Sequence, residues 1–227
     1  MTKNIVDKID NLVKIETILV SVSDKFRLDK FIPALLDINP KVRILSTGGT
    51  YLTIKEILNK EKILDANFYQ VSDYTGQPET QGGLVKTLDF KIYLGLLTET
   101  YNQSHQDDLK RVDAVAIDMV VVNLYPFKET IAKSDVTCEL ARGNIDIGGP
   151  TMIRASAKNF IRVASVVDPV DYLPIVESMK KNSGFINLEL RFRLAQKAFD
   201  HTADYDRAVA DYLKKMAFEQ VQSCYKI

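Results

Sequence analysis

The sequence predicts an α/β protein: three layers, with a parallel sheet covered by helices on both faces and a helical C-terminal extension. Three observations support this fold class. The 227 residues are 46% hydrophobic, which is enough for a packed core. Short aliphatic runs alternate with stretches whose apolar residues recur at helical spacing. Glycine-containing turns follow several of these runs, as is typical of parallel sheets. We expect one domain over residues 1–227, with a core at about 17–180 and the extension at about 187–218.

The individual elements follow from the same patterns. Residues 1–15 are expected to be a lead-in that includes at most a short helix. Apolar, β-branched runs predict strands, and apolar residues three and four positions apart predict helices. Pro33 is compatible with the first helix only within its first turn. The predicted strands are 18–22, 42–45, 68–71, 115–123 and 163–167, and the predicted helices are 28–36, 52–58, 150–159 and one or two between 187 and 213.

Composition excludes several classes of function. Thirty basic and thirty acidic side chains give zero net charge, which argues against a nucleic-acid-binding surface, so any phosphate recognition must be local. Cys138 and Cys224 fit no Cys-x-x-Cys spacing and are expected to be reduced thiols in the cytoplasm. No signal pattern, membrane-length apolar run or cluster of metal ligands is present, so we expect neither membrane insertion nor a metal.

Two turns carry candidate phosphate-binding residues. The segment 46–50 follows a strand and opens a helix, so its amides and hydroxyls can hold an anion at the positive helix end. A simple strand-to-helix connection would have the same sequence. Hydroxyls and a lysine at the neighbouring strand end favour the phosphate interpretation. The candidates are Ser21, Ser23, Lys25, Ser46, Thr47, Gly48, Gly49 and Thr50.

Two further segments place polar groups at predicted strand and helix ends. Asp146 precedes a Gly-Gly-Pro turn that suits a helix start, and Lys158 shares a helical face with Thr151 and Arg154. That face could equally be a solvated one. Asn123 and Tyr125 end the most apolar strand, where specificity contacts are often found. The alternative is an asparagine that caps the strand and a tyrosine in the core.

Seven segments in one order resemble the inosine monophosphate (IMP) cyclohydrolase domain of the bifunctional purine biosynthesis enzyme. The resemblance covers about residues 17–213, and residues 198–206 are similar to the helical end of that domain. It implies a methylglyoxal-synthase-like fold and an active site lined by Lys86, Asn123, Tyr125, Asp146 and Lys158, with Thr87, Gly148 and Gly149 contacting the substrate. The segments are 21–25, 46–50, 71–76, 82–88, 123–127, 145–149 and 155–159.

The resemblance implies a cofactor-free reaction on a purine ribotide. The carboxamide nitrogen of 5-formamidoimidazole-4-carboxamide ribotide attacks its own formyl carbon, and water is lost. Lys158 is expected to stabilise the oxyanion, with help from Asn123 or the amides of the Gly148-Gly149 turn. Asp146 and Lys86 are expected to move protons, and Tyr125 to position the base. Two alternatives remain open: a phosphate lyase resembling methylglyoxal synthase, and a non-catalytic nucleotide-sensing module of the same fold.

The chain also departs from the family pattern. Family members have the segment Gly-Gly-Arg-Val-Lys-Thr-Leu-His, with a second histidine soon after it. The arginine and both histidines are absent from this chain, and His105 and His201 lie outside the seven segments. Bifunctional members continue into a formyltransferase domain, and the sequence leaves open whether a separate formyltransferase chain is a partner here. We also expect this chain to form a homodimer. The residues at the departing positions are Leu84, Asp89, Phe90 and Tyr93.

Overall fold

The computed structural model describes residues 5–78 and 87–226. Its strands are β1 (Leu12–Lys14), β2 (Thr17–Val22), β3 (Arg43–Ser46), β4 (Phe68–Gln70), β5 (Met119–Asn123), β6 (Ala164–Val166) and β7 (Phe185–Asn187). Its helices are α1 (Leu28–Ile38), α2 (Gly48–Lys60), α3 (Val71–Thr75), α4 (Phe90–Leu97), α5 (Gln103–Arg111), α6 (Phe127–Ile131), α7 (Cys138–Gly143), α8 (Gly148–Lys158), α9 (Tyr172–Lys181), α10 (Leu188–Lys215) and α11 (Phe218–Gln222).

Five strands form a parallel sheet in the order β4-β3-β2-β5-β6. The chain moves outward in one direction from β2 to β4 and in the other direction from β5 to β6. The order therefore reverses between β2 and β5, where ligands of open α/β sheets characteristically bind at the carboxyl ends of the strands. The predicted parallel α/β fold is confirmed.

Alternate residues of the central strands face two separate hydrophobic clusters. Ile18 and Val20 of β2 pack towards α1 and α9, whereas Leu19 packs towards α4, α8 and α10. In β5, Met119 and Val121 face the first cluster, and Val120 and Val122 face the second. This alternation explains why both strands are apolar at every position, since a sheet with helices on both faces exposes neither side to water.

Several element predictions were wrong in detail. The lead-in contributes a strand, because β1 pairs antiparallel with β7. Pro33 lies inside α1 beyond its first turn, where burial of Leu28, Phe31, Ile32, Leu35 and Leu36 offsets the lost main-chain hydrogen bond. Strand β5 begins at Met119 rather than at Val115, whose N–H donates to Tyr74 Oη at 2.9 Å. The C-terminal extension, by contrast, agrees with the prediction of one or two helices: it is one long helix, α10, followed by the short α11.

A buried arginine joins the N-terminal segment to α10. The Arg191 side chain is fully buried and donates five hydrogen bonds of 2.6–3.1 Å to main-chain carbonyls. The acceptors belong to residues 10–11, 160–161 and 186. A guanidinium satisfies this arrangement because its five N–H donors form a rigid planar fork. Arg191 therefore holds the start of α10 against the sheet, and α10 continues from there towards the site described below.

Candidate active site

A cleft of about 320 Å³ opens at the carboxyl ends of the central strands, where the strand order reverses. Strands β2 and β5 lie side by side there, with Val22 opposite Asn123. The N-terminal ends of α2 and α8 border the same cleft. Its lining includes Ser21, Ser23, Lys25, Thr47, Gly48, Gly49, Thr50, Thr87, Asn123, Tyr125, Asp146, Gly148 and Gly149. The structure thus brings most of the predicted site residues into one place.

The N-terminal end of α2 presents unpaired amides to the cleft. Thr47 precedes the helix, but its side chain does not cap it, because Thr47 Oγ1 is hydrogen-bonded to Ser21 Oγ at 2.8 Å. The N–H groups of Gly48, Gly49 and Thr50 have no acceptor within the described ranges. Gly48 has φ +44°, a left-handed conformation that glycine adopts without strain. Free amides at the positive end of a helix form an anion-binding site.

A lysine supplies positive charge beside these amides. Lys25 Nζ donates to the main-chain oxygens of Val22 and Ser23 at 2.8 and 3.0 Å. Partial burial lowers the pKa of Lys25, while nearby Asp24 raises it. An ammonium can donate three hydrogen bonds, so one donor of Lys25 remains for a ligand. The amides, the Ser21 and Thr47 hydroxyls and Lys25 together form a phosphate-sized anion subsite.

Asp146 is held in a fixed position at the start of α8. Its Oδ1 accepts from the Gly149 N–H at 2.9 Å, and its carboxylate also accepts from the Tyr125 main-chain N–H. Its own N–H donates to Tyr205 Oη of α10 at 2.7 Å. Burial raises the pKa of Asp146, and the two main-chain N–H donors oppose this effect. A carboxylate with a raised pKa is a better proton acceptor than an exposed one.

The glycines of the α8 turn leave space for this carboxylate. A Cβ at position 149 would lie 2.5 Å from Asp146 Oδ2 and 2.6 Å from Leu124 Cδ2, so only glycine fits without a shift. Gly149 donates to Asp146, Pro150 has no N–H, and Thr151 N–H bonds to Ile147. In the described part of the chain, the Gly148 N–H therefore remains the unpaired donor of the first turn of α8.

Asn123 lines the cleft, and its amide also bonds to the turn after β2. Its Oδ1 accepts from the N–H groups of Ser23 and Asp24 at 2.6 and 2.8 Å, and its Nδ2 donates to Asp24 O at 3.0 Å. Both ends of the amide are thereby used to hold the turn after β2. Asn123 borders the cleft and holds this turn, and the second N–H of its Nδ2 is not used in these contacts. Tyr125, by contrast, is 56% exposed, so the core interpretation of this tyrosine is wrong.

Two predicted site residues lie away from the cleft, and a third is outside the described residues. Ser46 is fully buried behind it and donates to Val20 O at 2.8 Å, so it joins β3 to β2. Lys158 is exposed at the opposite end of α8, ten residues from Gly148, which is about 15 Å along the axis at the usual helical rise. Lys86 lies outside the described residues, immediately before Thr87, which does line the cleft.

The departing positions have structural roles where the structure describes them. Asp89 caps α4, since its Oδ1 accepts from the Lys91 N–H at 2.8 Å, and Phe90 is exposed. Burial raises the pKa of Tyr93 to about 12. Its buried hydroxyl lies near Thr151 of α8 but makes no hydrogen bond of normal geometry within residues 5–78 and 87–226. Leu84 is outside the described residues.

A second cavity of about 630 Å³ adjoins the cleft and shares Ser23 and Asn123 with it. It is bordered by five carboxylates and by Lys197, which is paired with Asp168 and Asp171 at 2.8 and 2.7 Å. His201 also borders this cavity, whereas neither His201 nor His105 lines the cleft. The carboxylates are Asp24, Glu129, Asp168, Asp200 and Asp204.

Sequence reasoning missed the contribution of α10 to the site. The helical spacing of residues 205, 209 and 213 places Tyr205 on the apolar stripe of a closing helix, and the residue is 8% exposed. Its hydroxyl contact with Asp146 joins residues 59 positions apart, which helical spacing cannot reveal. The available signal was a tyrosine rather than a phenylalanine in a buried stripe, since a buried tyrosine hydroxyl usually has a partner.

Two features are absent from the described ranges: a membrane-spanning helix and a group of metal ligands. No helix there is both long and apolar enough to cross a membrane. Likewise, no group of three or more histidine, cysteine, aspartate or glutamate side chains is arranged to hold a metal ion.

Two family models match the chain. The MGS-like domain model matches residues 27–151, which include the cleft turns at 46–50 and 146–149. The model described as AICARFT/IMPCHase bienzyme matches residues 156–226, which include α10.

Similar curated proteins extend the comparison to most of the chain. The chain is similar to proteins named "Bifunctional purine biosynthesis protein PurH", with 44% identity in Ruminiclostridium cellulolyticum, 47% in Acidithiobacillus ferrooxidans and 43% in Bacillus subtilis. These matches cover 87–91% of this chain but only 36–38% of the relatives, so the chain spans little more than a third of their length. A solved structure titled "Crystal structure of ForH" has a TM-score of 0.71 and 29% identity, covering 86% of this chain and 96% of that one.

Proposed function

Since the chain belongs to the MGS-like domain family and its C-terminal part matches the AICARFT/IMPCHase bienzyme model, we propose that it is an IMP cyclohydrolase. The substrate would be 5-formamidoimidazole-4-carboxamide ribotide and the product inosine monophosphate. One observation carries the proposal. A single cleft combines an anion subsite at the start of α2 with a partly buried carboxylate, Asp146, at the start of α8.

The phosphate of the ribotide fits the α2 subsite. The free amides of Gly48, Gly49 and Thr50, together with Lys25, offer charge-assisted hydrogen bonds to its oxygens. A phosphate anchored there leaves the base within the remainder of the cleft, between Tyr125 and the α8 turn. Because both reacting groups belong to one molecule, holding them in the reactive rotamer supplies much of the catalysis.

Asp146 is suited to remove a proton from the attacking nitrogen. The carboxamide nitrogen forms a bond to the formyl carbon, and the formyl oxygen takes up the negative charge. The oxygen then leaves as water, carrying one proton from each of the two nitrogens that flank the new ring carbon. Burial raises the pKa of Asp146, which favours uptake of a proton during the reaction. Lys86, next to Thr87, is the second candidate for proton transfer.

The Gly148 N–H is the best-placed donor for the oxyanion. It is unpaired within the described residues and lies at the positive end of α8. Asn123 uses one of its two Nδ2 N–H donors to hold the turn after β2, and Lys158 is exposed at the far end of α8. We therefore assign oxyanion stabilisation to the α8 turn, with the second Asn123 N–H beside it, rather than to Lys158.

Product analysis tests the function directly. The purified protein is incubated with the formylated ribotide and, separately, with dihydroxyacetone phosphate, each with and without a chelator. We expect inosine monophosphate from the first substrate, no methylglyoxal from the second, and rates that the chelator leaves unchanged. Methylglyoxal formation would favour the lyase alternative, and no turnover of either substrate would favour the sensing module.

Partners and location follow from the same proposal. The relatives are named as bifunctional, so we propose that a formyltransferase activity supplies the substrate. We also propose a homodimer, which sedimentation or light scattering would detect. Cys138 and Cys224 are both free thiols, which agrees with the reducing cytoplasm.

A further inference from the structure

Tyr205 connects the C-terminal helix to the site. It lies midway along α10, with its ring 8% exposed and packed edge-on against Phe127 at a centroid distance of 6.1 Å. Its hydroxyl accepts from the main-chain N–H of Asp146 at 2.7 Å. This contact comes from a helix that contributes no residue to the lining of the cleft.

The contact completes the support of Asp146. The Gly149 and Tyr125 N–H groups hold the carboxylate, and both belong to segments that flank the cleft. Neither fixes the main chain at position 146. Tyr205 does so, because its hydroxyl pairs with the N–H of the same residue whose carboxylate faces the cleft. Loss of that hydroxyl would leave the carboxylate bonds in place but free the main chain that carries them.

We propose that Tyr205 is a positioning residue for ring closure, acting through Asp146. The inference rests on the proposed function. A displacement of the order of 1 Å at a reacting group costs roughly 100-fold in rate, so a smaller shift of Asp146 is expected to cost roughly tenfold. The effect should fall on kcat, because the α2 subsite that anchors the phosphate does not contact Tyr205.

The chain offers a matched control in Tyr212. This residue also belongs to α10 and also packs edge-on against Phe127, at 5.9 Å, but its hydroxyl makes no hydrogen bond to Asp146. We expect Tyr205→Phe to lower kcat about tenfold with KM changed less than twofold. Tyr212→Phe should change both by less than twofold. Equal kcat values for the two variants would overturn the inference.

A double-mutant cycle separates positioning from general support of the fold. In an Asp146→Asn background, Tyr205→Phe should lower kcat by less than a further twofold, and a further tenfold loss would overturn the route through Asp146. Amide hydrogen exchange of the wild type needs no variant: the Asp146 N–H should be protected, and rapid exchange would overturn the contact. A wild type that forms no inosine monophosphate would contradict the proposed function. Amide hydrogen exchange would still show whether the Asp146 N–H is bonded to the Tyr205 hydroxyl.

Discussion

Asp146 sets the expected pH dependence of the reaction. Burial raises its pKa above the ordinary 3.8, and the ionised form is the one that accepts a proton. Activity should therefore rise with pH through a midpoint above 3.8 and fall as the carboxylate is protonated below it. We expect this acidic limb in the pH profile of kcat/KM for the wild type. If the acidic limb persists unchanged in Asp146→Asn, a group other than Asp146 controls it.

Gly149 allows a second test of the same carboxylate. A Cβ at this position would lie 2.5 Å from Asp146 Oδ2, so Gly149→Ala must displace the carboxylate or the start of α8. We expect kcat to fall by about 100-fold, the scale of a misplaced reacting group. Steady-state kinetics would measure the loss, and thermal melting would verify that the variant is folded. A folded variant with unchanged kcat would mean that Asp146 does not act from its observed position.

Helix α8 separates two interpretations of Lys158. The sequence motif predicts an oxyanion donor, whereas the helix places Lys158 about 15 Å from the turn that lines the cleft. The structure of the single chain predicts that Lys158→Ala keeps kcat within a few fold of the wild type. A loss of roughly 100-fold in a folded variant, the scale of a missing oxyanion donor, would show that Lys158 reaches a reacting group.

The elements show what the sequence could and could not predict. The strands and the turns at 46–50 and 146–149 were predictable, because apolar runs and glycine turns report local backbone geometry. Strands β1 and β7 were not, since their pairing joins segments more than 170 residues apart. The roles of Ser46 and Asn123 could not be predicted either, because their side chains contact residues that are distant in the sequence. Both are polar residues at strand ends, and only the fold shows that their side chains bond to neighbouring main chain.

At the scale of the whole molecule, a buried ion pair joins the sheet to α4. Arg162 donates to Asp118 Oδ1 at 2.9 Å and to the carbonyls of Gly95 and Thr98, while Asp118 also accepts the N–H of Thr17. Removing one partner leaves a buried charge unpaired, so Arg162→Ala should lower the free energy of unfolding by about 3–5 kcal/mol.

Denaturant unfolding would measure this loss. Arg142→Ala is the matched control, because Arg142 forms an exposed pair with Glu139, and exposed pairs contribute little to stability. Similar values for the two variants would contradict the structural role of the buried pair.

We propose that the cleft at the carboxyl ends of β2, β3 and β5 closes the purine ring with Asp146 as its proton acceptor. The most direct measurement is the initial rate of inosine monophosphate formation from the formylated ribotide by the wild type and by Asp146→Asn, at equal folded concentration. We predict turnover by the wild type and a loss of roughly 100-fold or more in the variant, at the lower end of the range for general acid–base catalysis. Equal rates for the two proteins, or no product from the wild type, would contradict the claim.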